Sequence, residues 1–404
     1  MSGNYTCLSE VHMRHHFLYL ILILGYSSSI FAENPLATLD SLPQSSLLVI
    51  NAQEIVEYSK NSDQLFIPAS TVKIMTALTS VNHWDSDHHF QTEFYLDEQT
   101  NMLWVRGLGD PFLVSEELDL IVQQLKEIGL TEAVGIGLDE TYFEPDIYFH
   151  GRGKSNNPYD APANALAVNF NTIQVNINNG VISSGEPQTP ITPMAKKLAK
   201  GLPDGKHRIN LLDAIRSAEY FAQVFAAKLS EQGIRVGDVR DNALVPKTAD
   251  LILSYQNSKN VSEVLSAMLL YSNNFIANQL YLMLGAEKFA APATLLKAQM
   301  VVDEYINEHF AWTNYLLIDG SGLSRNNQLS AQQLIDILEN FKNYRSMLPE
   351  QTKGIWAKSG TLNGVSTYAG YLYKDQAWWS FAVMINQPVE YKFRERLAVQ
   401  LLNQ

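Results

Sequence analysis

Cysteine is almost missing from this chain: its 404 residues include one, Cys7. That thiol falls in an N-terminal leader, so the mature chain can form no disulfide, whatever the redox state of its compartment. Charge is also scarce, 18% of residues, and unbalanced: 29 Lys and Arg against 42 Asp and Glu leave a formal net charge of −13. This deficit of basic residues argues against a nucleic-acid partner held by a positive footprint. No apolar run after the leader is long enough to span a membrane. There is no H-E-x-x-H or comparable cluster, and the adjacent His88 and His89 read as solvated residues on a connection, so no metal site is expected. Gly107-Leu108-Gly109-Asp110-Pro111 lacks the lysine and following hydroxyl of a phosphate loop and reads as a turn.

The leader itself has an apolar run over 17–24, preceded by Arg14, His15 and His16 and followed by small residues up to Ala32. The pattern is a secretory signal peptide over 1–32, with the cut after Ala32. A retained anchor is the alternative, but the apolar run is short for a span. Met13 is a second candidate start and would give a conventional positive region. With 46% hydrophobic residues, the remainder can fill one large or two ordinary domains.

What the chain does have is concentrated in Ile67-Pro68-Ala69-Ser70-Thr71-Val72-Lys73. Proline has the fixed φ of a first helical position, so a helix is expected to begin at Pro68. Ile74, Ala77 and Leu78, at i, i+3 and i+4, give that helix an apolar stripe. Ser70 and Lys73 are three apart, so their side chains meet on one face, with about 5–6 Å between Cβ atoms. A serine hydroxyl needs a base, and a lysine desolvated enough to be neutral is one. Alone, S-x-x-K should occur about once by chance in a chain this long, and it also describes an ordinary surface helix.

Two more motifs follow in a meaningful order. Ser272-Asn273-Asn274 separates an amphipathic run over 261–270 from a second apolar stretch, which places S-x-N on a short link between helices. Lys358-Ser359-Gly360-Thr361 closes a strand-like segment over 354–357, with serine where K-T-G has threonine. Separately these are a helix cap and a strand end; together and in order they are far more specific. The chain resembles the D-alanyl-D-alanine carboxypeptidase/endopeptidase family, the low-molecular-mass class C penicillin-binding proteins. Asp319-Gly320-Ser321-Gly322-Leu323-Ser324-Arg325, the Gly107 to Pro111 turn, Tyr159-Asp160-Ala161-Pro162 and Asn169-Phe170-Asn171 carry the resemblance further.

The resemblance implies an α+β, penicillin-binding/serine β-lactamase-like transpeptidase fold: an antiparallel five-stranded sheet flanked by helices, with an inserted α/β domain. Strands read over 46–51, 55–58, 367–373 and 378–385 would join the Lys358 strand, with a helix over 393–402 laid on the sheet. The catalytic domain is expected over 33–92 and 246–404 and the insert over 93–245. Too long a stretch separates Ser70 from Ser272 for a structureless loop. It carries strands over 103–106 and 134–138 and helices over 117–128 and 218–233. Relatives often have a further subdomain after Asn169; here 180–205 is short and rich in Gly, Pro, Ser and Lys, so that part is expected to be absent or vestigial.

The implied function is acyl transfer on a peptidoglycan peptide ending in D-Ala-D-Ala, in the periplasm, with endopeptidase cleavage of cross-links as an extension. Ser70 would attack, Lys73 would be the base, and Ser272 would relay a proton to the leaving amine. Asn274 would hold Lys73 and the substrate amide, while Lys358, Ser359 and Thr361 would bind the terminal carboxylate. The amides of Ser70 and Thr361 would form the oxyanion hole. Ser321 reads as structural. No cofactor is implied, β-lactams are expected as covalent inhibitors, and the mature chain should carry no stable membrane span. A β-lactamase of the same fold and a non-catalytic wall-binding protein are the alternatives.

Overall fold

The computed structural model describes residues 34–404, apart from the side chains of residues 238–241. The signal peptide expected over 1–32, with Cys7, lies outside the described residues. Among them, no helix is long and apolar enough to cross a membrane.

The sheet that carries Lys358 has six antiparallel strands. From one edge they are Glu350–Thr352, Ile355–Leu362, Val365–Lys374, Ala377–Ile385, Ser45–Ile50 and Val56–Lys60. Chain start and chain end meet in its middle, where Leu48 stands opposite Ala382 and Val49 opposite Phe381. Five of the strands are those expected. The sixth has three residues and lies in the stretch before Lys358, where Pro349 O accepts from Ala357 N and draws the chain alongside the strand. Alternation divides the side chains between two cores. Leu47, Val49, Ala357 and Phe381 face the helix Phe393–Asn403; Leu48, Tyr371, Ala382 and Met384 face the helices Val72–Trp84 and Asn274–Phe289.

A second, five-stranded sheet runs in the order Asp250–Asn260, His89–Asp97, Met102–Gly107, Glu132–Asp139, Arg235–Asn242. The parallel pairing of Met102–Gly107 with Glu132–Asp139 requires a crossover, supplied by the helix Ser115–Glu127. The helix Ala214–Glu231 makes the crossover to Arg235–Asn242. Phe94, Val105, Ile121, Ile136 and Phe225 fill a separate core there. Residues 180–205 hold a strand, Val181–Ser184, and a helix, Pro193–Ala199, N-capped by Thr192. That strand joins Thr172–Asn178 and Gly205–Asn210 in a third, three-stranded sheet. Met194 and Ala199 tie its helix to the second core, which explains why so polar a sequence is ordered.

Candidate active site

Ser70 does not sit in the first turn of a regular helix, as its sequence led one to expect. It lies in a 3₁₀ turn, Ala69–Thr71, and the α-helix starts at Val72. Ala69 takes a left-handed conformation, φ 48°, which breaks the helix between Pro68 and Ser70. The distortion has a cause in packing. Thr71 Oγ1 and Thr367 Oγ1 both donate to Pro68 O at 2.7 Å, pinning the turn to the sheet. Two glycines let neighbouring backbone crowd in: a Cβ on Gly322 would lie 1.9 Å from Ala69 O, and one on Gly360 would lie 2.8 Å from Ser70 N. Gly360 therefore makes room for the Ser70 turn.

Lys73 is fully buried one turn on, with Nζ 3.2 Å from Ser70 Oγ, 2.7 Å from Asn274 Oδ1 and 2.6 Å from Ser321 O. Asn274 is oriented by its amide, which donates to Tyr159 O at 3.2 Å and so turns Oδ1 to the lysine. Ser321 O is aimed by the turn below it. Asp319 Oδ1 accepts from Ser321 N, Ser321 Oγ and Gly322 N, and Oδ2 accepts from Ser324 N and Asn327 Nδ2. A buried carboxylate so fully bonded is a frame for the turn, and Ser321 Oγ is spent on it. Burial holds the Lys73 ammonium well below the ordinary lysine range, the charge of Lys358 adds to this, and Asp319 opposes it.

Hydrogens then decide what a neutral Lys73 does. An amine donates two and accepts one. Asn274 Oδ1 and Ser321 O are acceptors without hydrogen, so they take both N–H bonds. The lone pair is left for Ser70, whose hydroxyl alone among the three has a proton to give.

On the facing wall the helix Val261–Tyr271 ends at Ser272, held left-handed at φ 53°, and Asn273 caps the next helix by accepting from Ile276 N. The S-x-N triplet is thus the expected short link. Lys358, on the strand Ile355–Leu362, donates to Ser272 Oγ at 2.9 Å and to Ser359 O at 2.8 Å. Burial, with Arg394 second, brings its pKa down to about 7. Ser359 is half-buried and Thr361 exposed, on a strand whose positions from 358 to 362 have no strand beside them on the outer edge.

Lys73 joins Ser70 to Asn274 and Lys358 holds Ser272, and the Ser272-Asn273-Asn274 link places the two groups side by side, with Ser359 and Thr361 continuing the strand. Arg394 belongs beside them and was missed: from the C-terminal helix it donates to Gly360 O and, at 2.8 Å, to Thr361 Oγ1. No motif marks it. The loop from Gly107 is a turn in which buried Asp110 accepts from Phe112 N and Asn257 Nδ2, its carboxyl pushed up to about 7 chiefly by burial. His88 stacks on Trp84, and His89 Nδ1 meets Asn257 O at 2.7 Å.

The model of the D-Ala-D-Ala carboxypeptidase 3 (S13) family matches residues 41–201 and 197–349. The chain belongs to this family. It is accordingly a hydrolase of the serine carboxypeptidase class, as the motifs implied. Over 421 residues it is 24% identical to a D-alanyl-D-alanine carboxypeptidase of Actinomadura sp. (strain R39), covering 85% of this chain and 78% of that one. It is 23% identical over 393 residues to the D-alanyl-D-alanine carboxypeptidase DacB of Haemophilus influenzae, covering 80% of each. The crystal structure of penicillin-binding protein 4 from Haemophilus influenzae superposes with a TM-score of 0.73 at 19% identity, over 92% of this chain and 99% of that one. The likeness establishes the penicillin-binding α+β fold that the motifs implied.

Proposed function

We propose that this chain hydrolyses the terminal D-Ala-D-Ala bond of peptidoglycan stem peptides through an acyl-enzyme on Ser70. One observation carries the reading: Lys73 Nζ lies 3.2 Å from Ser70 Oγ while its other two partners, Asn274 Oδ1 and Ser321 O, can only accept, so the neutral amine has Ser70 alone to accept from. Lys73 takes the Ser70 proton as Oγ bonds to the penultimate carbonyl carbon. The amides of Ser70 and Thr361 receive the oxyanion, where loss of one donor typically costs about 2.7–4 kcal/mol. The C–N bond then breaks as Ser272, beside Lys358, gives its proton to the departing D-Ala amine; the proton that Lys73 took from Ser70 replaces it on Ser272, which leaves Lys73 neutral again. Water repeats the attack on the ester, with Lys73 again as base.

Lys358 offers positive charge to the terminal carboxylate, Ser359 and Thr361 hydrogen-bond it, and the uncovered edge over 358–362 pairs with the peptide backbone. The same site would be acylated by β-lactams; the Haemophilus protein has been solved with one bound. Cleavage of cross-links extends the chemistry to a larger leaving group. The inserted domain expected over 93–245 walls the cleft in this reading, through Tyr159 O on Asn274, and its sheet takes in strands that reach from His89 to Asn260. The leader pattern supports work in the periplasm. Incubating the chain with a pentapeptide ending in D-Ala-D-Ala should release free D-Ala; a folded chain that releases none from neutral to mildly alkaline pH would contradict the proposal.

A further inference from the structure

The start of the Lys358 strand carries a feature that acyl transfer does not use. Trp356 and Tyr373 wall an open groove of about 510 Å³. Trp356 precedes Lys358 by two residues, so both side chains leave the same face of the sheet, about 7 Å apart along the strand. The rings are fixed in place. Trp356 meets Trp378 edge-on with centroids 4.8 Å apart, Tyr373 leans on Trp378 at 4.9 Å, and the Arg345 guanidinium lies 4.6 Å from the Trp378 ring centre. Yet Tyr373 remains 45% exposed.

The charged side chains of the lining balance, Glu350 and Asp375 against Lys353 and Lys374, and Asn403 and Gln404 add amides from the end of the C-terminal helix. A groove whose side-chain charges balance and whose walls are rigid aromatic rings offers more to a polyhydroxylated ligand than to an ion. It suits an uncharged ligand that lays C–H faces on the rings and offers hydroxyls to the carboxylates and amines at the rim. That is the chemistry of a pyranose sugar. We infer that this groove is a glycan subsite, taking a sugar ring of the polysaccharide to which stem peptides are attached. The choice of an amino-sugar polymer rests on the peptidoglycan reading above; the groove itself does not. Its place on the Lys358 strand lets one strand hold the peptide and sense the polymer.

The test is titration of the full chain with a short, uncharged oligomer of N-acetylglucosamine, read by tryptophan fluorescence and calorimetry. Saturable binding is expected, weakened about ten-fold in Tyr373→Ala and kept in Tyr373→Phe. Ser70→Ala should bind the oligomer as the parent chain does, so failure of the acyl-enzyme reading is separable from failure of this one. D-Ala release from a soluble pentapeptide should be the same in Tyr373→Ala and the parent, whereas release from glycan-bearing polymer should fall. A folded chain with no saturable sugar binding overturns the inference. So does Tyr373→Ala if it matches the parent in sugar binding or on the polymer.

Discussion

Both walls of the cleft bury a lysine, yet they surround it differently. Lys73, on the helical wall, is enclosed by three oxygens, two of which can only accept. Lys358, on the strand wall, has one carbonyl, its neighbour's, and the hydroxyl of Ser272. Burial lowers both pKa values, and Lys358 lowers Lys73 further. Burial alone therefore does not distinguish base from anchor. In the proposed mechanism the partners do: fixed acceptors aim the Lys73 lone pair at Ser70, whereas Lys358 keeps hydrogen-bonding capacity for a ligand beside the open strand edge.

Replacing each lysine should separate the two roles. The largest effect is expected for Lys73→Ala, which should slow acylation by a chromogenic β-lactam about 10²–10⁴-fold, the usual worth of general-base assistance. Lys358→Ala should act through the carboxylate. A charge-assisted hydrogen bond contributes about 1.5–3 kcal/mol, so kcat/KM on a free-acid peptide should fall roughly ten- to hundred-fold, and much less on the C-terminal amide. Equal losses on acid and amide would remove the distinction between the walls.

The pH dependence should be gentler and of opposite sign for the two. In the proposed mechanism Lys73 works without its proton, so activity should rise with pH through its lowered pKa. Lys358 works with its proton, so kcat/KM falls as pH passes about 7. A bound carboxylate raises Lys358, so the falling limb of kcat should lie at higher pH than that of kcat/KM. Because the two charges repel, the limbs of the measured profile belong to the pair. A kcat/KM profile that only rises from neutral to pH 9 would refute the role given to Lys358. The smallest effect is expected for Ser321→Ala. Its hydroxyl bonds Asp319, while its backbone oxygen, which the substitution keeps, holds Lys73, so acylation should change less than about threefold.

Much of this arrangement can be read from the chain, for a local reason. Ser70 with Lys73, and Ser272 with Asn274, stand so close in sequence that almost any helical or link geometry keeps each pair together. The central strands were legible through runs such as Trp378 to Ile385, whose aromatic and branched residues fit a packed sheet. Three strands of the second sheet escaped: Arg235–Asn242, Asp250–Asn260 and His89–Asp97. Asp250–Asn260 is largely polar and half exposed, and His89–Asp97 hides its alternation behind polar residues of intermediate burial. Arg394 was invisible because its contact with Gly360 spans 34 residues and depends on how the last helix lies on the sheet. The left-handed Ala69 was hidden too: Pro68 favours a helix locally, and only Gly322, Gly360 and Thr367 override it.

Every role on both walls depends on Ser70 being the nucleophile, and a single peptide map tests that directly. The chain is labelled with a fluorescent penicillin, digested with trypsin, and the adduct located by mass spectrometry. The account predicts one adduct, on Ser70, absent from a Ser70→Ala variant whose circular dichroism matches the parent. An adduct on Ser272 or Ser321, or labelling that persists in folded Ser70→Ala, would contradict it.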